Sequence, residues 1–147
     1  MGIFDFLKPK INIVIEKLKM KLLKNVFEKW YLKVVRDNYS NFSGRASRKE
    51  FWMFILILYL GSSLLFLMFI PLIRISEYFL ILWGIYLAAM VIPSIAIIVR
   101  RLHDQGNSGK YLFVFFIPLI GGLLLLIFLC KKGHRNENKY GVSPRLK

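Results

Sequence analysis

Acidic residues are scarce in this chain, cysteine is nearly absent, and three long stretches carry no charge at all. Eight Asp and Glu face 22 Lys and Arg, for a formal charge of +14. The single cysteine, Cys130, excludes an internal disulfide and suits a small apolar filler. With only His103 and His134 besides, and no second cysteine at ligand spacing, no zinc site is expected. Nucleophile elbows of the G-x-S-x-G kind and glycine-rich phosphate loops are missing too. No catalytic residue, cofactor or metal is therefore expected. The opening MGIFDFLKPK has neither a continuous apolar run nor a small-residue cleavage site, so the first apolar span is expected to serve as an uncleaved anchor. Phe6 stands where a myristoylation pattern asks for Ser or Thr after Gly2.

What the chain has in abundance is apolar surface, at 56% hydrophobic residues and 16% aromatic. It collects in residues 51–70, 78–99 and 111–130, which are free of charge. Each run, coiled at about 1.5 Å per residue, matches the roughly 30 Å of a hydrocarbon core. A chain of 147 residues is too short to hide three such helices from water. The reading is an all-α integral membrane protein with three transmembrane helices.

The cations flank these runs. Residues 1–50 hold 12 Lys and Arg against 5 acids, and the tail, 131–147, holds 6 against 1. Cations so placed meet anionic lipid head groups, and no nucleic-acid-binding pattern accompanies them. Before the first span, Ile11, Val14, Ile15, Leu18, Leu22, Val26, Trp30 and Val34 recur at spacings of three and four, with Lys17, Lys21, Lys24 and Lys29 between them. An amino-terminal basic amphipathic helix lying in the head-group layer is expected over 1–36; a helix packed on a membrane-protein partner or a second copy is the alternative. Residues 37–50 form a connector. Ser47 and Glu50 make a capping box ahead of Phe51 and Trp52.

Small residues at Gly61-Ser62-Ser63 and at Gly84 with Ala88 suggest close helix approach, and Pro93 a kink whose freed backbone Ser94 can satisfy. Pro118, Gly121 and Gly122 interrupt the third run. A cytoplasmic amino terminus puts the 100–110 loop in the cytoplasm as well, but a third full crossing would send the basic tail outside, against the positive-inside rule. A re-entrant hairpin bending at Pro118 would keep the tail inside. Twenty apolar residues suit one crossing better than two limbs, so three spans are favoured.

Four strings resemble a known family. WYLKVVRDNYSNFSGRASRKEFW (30–52), RRLHDQGNSG (100–109), IPLIGG (117–122) and NKYG (138–141) occur in the order seen in bacterial inner-membrane proteins of domain of unknown function 805. The resemblance covers about residues 30–145. It implies a small multi-span protein of the bacterial inner membrane and brings no established activity. This chain has Asn107, Lys110 and Tyr111 where the family carries an arginine and aromatic residues, so no role is carried over to those positions.

His103 beside Asp104 invites a catalytic reading, but neighbours in sequence point in different directions. The two polar strings are instead expected on one face, where Arg45, Arg48, Lys49 and Glu50 meet Arg100, Arg101, His103 and Asp104. Contacts of Asp104 with Arg45 or Arg48, with Arg100 or Arg101 one turn away, and of Glu50 with Arg101 are anticipated. Such a cluster compensates charge near lipid or holds anionic head groups. The function expected is structural or interaction-based, toward anionic lipid or a membrane partner. A small transporter or channel subunit is the competing class, weakened by spans without an ionisable residue.

Overall fold

A computed structural model describes residues 3–73 and 76–146. The readings made on Gly2 and on the tail's last residue, Lys147, lie outside them. The described residues are helical apart from loops and one isolated bridge, Asn138 with Gly141.

Helix α1, Ile3–Phe27, runs directly into a π-helical segment, Glu28–Asp37. Helix α2 is Arg48–Ile73 and α3 is Tyr78–Asp104; among the described residues these are the two helices long and apolar enough to cross a membrane. They pack side by side. Along α2, among the residues whose side chains are described, only Glu50, Phe51 and Phe54 are buried, and along α3 no residue is buried before Pro93. Pro93, Ala96, Ile97 and most residues from Arg100 onward are buried. The helix pair is therefore bare and apolar at one end and wrapped by protein at the other. A water-soluble chain would not leave so broad an apolar surface uncovered.

The wrapping comes from the amino-terminal segment and the third apolar run. Val34, Ala46, Phe51, Phe54, Ile97, Leu102, Leu125 and Leu129 form its core. Tyr31 stacks on Phe54 and brings its hydroxyl to 3.2 Å from that of Tyr86 and 3.6 Å from Met90 Sδ. Pro93 has no N–H, which frees the carbonyl four residues earlier, at Ala89. Tyr39 fills that vacancy, its hydroxyl donating to the Ala89 carbonyl at 2.6 Å, while Ser94 donates to Met90 instead. Gly61 and Gly84 face open space, so neither glycine of the expected small-residue patches meets the facing helix within the chain.

The third run departs most from expectation. Residues 111–130 do not form one helix: a 3-10 helix, Gly109–Phe116, is followed by a turn and a short α4, Gly121–Cys130. Pro118 prevents continuation, and Leu119 adopts a left-handed φ of 67° at the bend. Gly121 then lies so close to the Val114 and Phe115 carbonyls that a Cβ there would collide with both. At about 2.0 and 1.5 Å rise per residue each limb spans roughly 15 Å, half a hydrocarbon core. The run enters at Gly109, against Val99, and leaves at Lys131, bonded by Arg101, so both its ends lie at the carboxyl end of α3.

Candidate functional site

Three chain segments converge where α3 ends. The connector approaches through Gly44, whose φ of 80° is open to glycine, and through Ala46, whose amide donates to the Arg100 carbonyl at 2.9 Å. The tail returns through His134, whose amide donates to the Asp104 carbonyl at 2.9 Å. Between them sits Asp104, its side chain 2% exposed.

One oxygen of Asp104 takes Arg45, with Nε at 3.0 Å and Nη2 at 2.8 Å; the other takes Arg101 Nη1 at 2.6 Å. Arg45 does more than pair. Its Nη1 donates to the carbonyls of Asn136 and Gly141 at 2.8 and 3.0 Å, and its Nη2 to that of His134 at 2.5 Å. The planar fork of a guanidinium is suited to such divergent donation, which an ammonium cannot reproduce. Arg101 turns the other way, toward α4, donating to the Leu129 and Lys131 carbonyls, while Gln105 donates to that of Phe128. Phe128 and Leu129 belong to the last turn of α4, whose carbonyls have no intrahelical i+4 partner, and Lys131 caps it; at such an end the helix dipole also favours a cation. Gly133 fits only because it lacks a side chain, since a Cβ there would fall inside the Asp104 carboxylate.

The second ion pair joins Glu50 to Arg100, Nη1 to Oε1 at 3.3 Å, with both side chains buried. Lys33 approaches Glu50 at 4.0 Å from the π-helical segment. Half of the expected capping box is present: Ser47 Oγ accepts the Glu50 amide at 3.1 Å, but the Glu50 carboxylate turns to Arg100 rather than back to Ser47. The anticipated partner of Glu50 was Arg101; one residue of helical phase points Arg101 to Asp104 and leaves Arg100 facing α2.

His103 stacks on Tyr140, ring centroids 3.7 Å apart and 5° from parallel, with Nδ1 at 3.2 Å from the Gly44 carbonyl. It lies beyond the apolar stretch that ends at Val99. Burial holds its pKa below the ordinary histidine value and nearby Lys139 adds to this, against the bond to Gly44. Arg48 is peripheral, its Nη1 3.4 Å from the Cys130 carbonyl, and Lys49 lies over the Trp30 ring at 5.7 Å. Among the described residues no three of His, Cys, Asp or Glu gather as metal ligands would. The arrangement is chemically a clamp: charged donors tie connector, α3, α4 and tail together through carboxylates and backbone carbonyls.

Sequence reasoning missed Lys33, Gln105, Gly133 and the carbonyls that Arg45 and Arg101 hold. The signal for Gly133 was a lone glycine just after a helix end. Backbone carbonyls leave no mark in a sequence.

Inner membrane protein YhaI of Escherichia coli (strain K12) is 42% identical over 116 residues, covering 79% of this chain and 95% of that protein. Inner membrane protein YhaH of the same strain is 40% identical over 126 residues, covering 80% and 97%. No solved structure matches. With such relatives, the two long bare apolar helices are those of a membrane protein. The clamp is assembled almost entirely from residues 39–142, the stretch over which the pattern described as protein of unknown function (DUF805) matches, and the chain belongs to that family.

Proposed function

We propose that this chain is a multi-pass protein of the bacterial inner membrane whose basic cytoplasmic face binds anionic lipid head groups, in a structural or interaction role. Helices α2 and α3 cross the bilayer, and the third apolar run enters and leaves on the side that carries both termini. Limbs of roughly 15 Å and a shared point of entry and exit support this over a third crossing. It also reconciles the charges: of the 22 Lys and Arg, only Arg74 falls in the connection between α2 and α3, and all others fall on the same side.

The observation that carries the lipid reading is α1. From Ile11 to Phe27, half-buried Val26 apart, it leaves its lysines and apolar residues alike uncovered by the rest of the chain. Such a helix gains from burying its apolar side chains among lipid head groups while Lys17, Lys21 and Lys24 meet phosphate. Purifying the full chain and measuring co-purified lipid tests this. Wild type is expected to be enriched in anionic over zwitterionic lipid, and the Lys17→Gln, Lys21→Gln, Lys24→Gln triple variant to lose that enrichment; equal enrichment in both would refute the reading. Topology has its own test, a reporter active only in the cytoplasm fused after Lys147. Activity is expected, and its absence, with activity at the amino terminus, would restore three crossings.

A further inference from the structure

Beside the clamp lies a cavity of about 250 Å³ bounded by Lys33, Asn38, Asn41, Ser43, Glu50 and Arg100. Its volume is several times the roughly 30 Å³ that one water occupies in the liquid. Arg100 lines it with a side chain only 5% exposed. One of its nitrogens takes Glu50; the other two, Nε and Nη2, are closed to solvent and have no partner in the protein, so an oxyanion in the cavity reaches them by a small turn of the Arg100 side chain. Buried arginine nitrogens left without acceptors are costly, and guanidinium Nε and Nη2 form the edge that grips an oxyanion with two parallel hydrogen bonds.

The charges point the same way. Among the described residues, Arg45, Arg100 and Arg101 are buried with only Glu50 and Asp104 to balance them. Asp104 is consumed by two of the arginines, and Glu50 is shared between Arg100 and Lys33. The side of the cavity nearest Arg100 therefore has an uncompensated positive charge. The amide of Asn38 is already committed to the Lys33 carbonyl, and that of Asn41 to Asn38. These bonds fix the rim and leave the cations to do the binding.

We infer that this cavity is an oxyanion site, in which Arg100 and Lys33 bind a phosphate group opposite Glu50. The phosphodiester of an anionic phospholipid and free inorganic phosphate share the required chemistry. The inference rests on the reading of the basic face as a binder of anionic head groups, but it names a discrete site distinct from the lysines of α1.

The test uses the full chain, purified in neutral detergent and stripped of lipid, titrated calorimetrically with inorganic phosphate and separately with short-chain phosphatidylglycerol. Saturable binding of one ligand per chain is expected in at least one arm. Binding of the lipid alone assigns the site to head groups, and binding of phosphate alone assigns it to a soluble anion. Lys33→Gln removes an exposed cation, leaves the fold intact and should weaken binding by about tenfold. Glu50→Gln removes the opposing carboxylate and should tighten it several-fold, a direction that loss of packing would not produce. Arg100→Gln should abolish it. Absence of saturable binding in both arms, or affinities unchanged in both Lys33→Gln and Glu50→Gln, would overturn the inference. The α1 triple variant should keep this site, so loss of lipid enrichment there with an intact titration, or the reverse, tells the two readings apart.

Discussion

Replacing Asp104 by asparagine keeps the shape of the side chain and removes its charge, leaving Arg45 and Arg101 buried without a counter-ion. Both partners contact the carboxylate at 3.0 Å or less, and all three side chains are at most 2% exposed. Solvent screening is therefore small, and breaking a buried pair by removing one partner costs about 3–5 kcal/mol. Asparagine retains one acceptor oxygen, so the lower end, about 3 kcal/mol, is expected. For a chain of this size that corresponds to a fall in melting temperature on the order of 10 °C, read from tryptophan fluorescence of the detergent-solubilised protein. Asp37→Asn is the control. Its pair with Arg36 is as short, 2.8 Å, but exposed, and its removal should leave the melting temperature unchanged. Equal melting of Asp104→Asn and wild type would refute the assignment of Asp104 as the clamp's counter-ion. Charge reversal sharpens the point. Asp104→Arg should fail to assemble, and Arg45→Asp should rescue it only in part, because Arg45 also holds the carbonyls of His134, Asn136 and Gly141. Arg48→Asp should not rescue it, as Arg48 points to Cys130.

Gly133→Ala should destabilise about as much as Asp104→Asn, since its Cβ would displace the carboxylate, whereas Gly61→Ala, facing open space on α2, should be neutral or slightly stabilising; parallel thermal melts check both. Tyr39→Phe leaves the Ala89 carbonyl unpaired above Pro93 and should cost about 1–3 kcal/mol; Pro93→Ala restores the helical donor and should relieve most of that loss in the double variant. His103 has a folded-state pKa below its ordinary value near 6.5, so its contribution is complete above that value and is lost as pH falls through it. His103→Gln should flatten the acid limb of the melting temperature as pH falls below about 6.5, and a limb identical to wild type would show that other groups govern it.

The extent to which this architecture was legible follows from what kinds of bond build it. Helices α2 and α3 announce themselves because hydrocarbon demands a continuous apolar run and nothing else in a short chain produces one. The pairing of Asp104 with Arg45 was legible as one of several possibilities, since complementary charge and a shared face narrow the partners without fixing the phase of the helix. The phase decided that Arg100 takes Glu50 and Arg101 takes Asp104. The third run was the ambiguous one, because twenty apolar residues satisfy the length rule whether they cross or turn back. Its Pro118 and Gly121-Gly122 marked the bend. What settles the path in the structure is polar and remote: Arg101 and Gln105, at the end of another helix, hold the last carbonyls of α4 beside the point where the run began. The same logic gives Arg45 its weight. Its guanidinium carries three tail carbonyls besides a carboxylate, so RRLHD, SGRAS and NKYG are parts of one hydrogen-bonded knot, and a hairpin without that knot would lose the contacts that hold its exit beside its entrance.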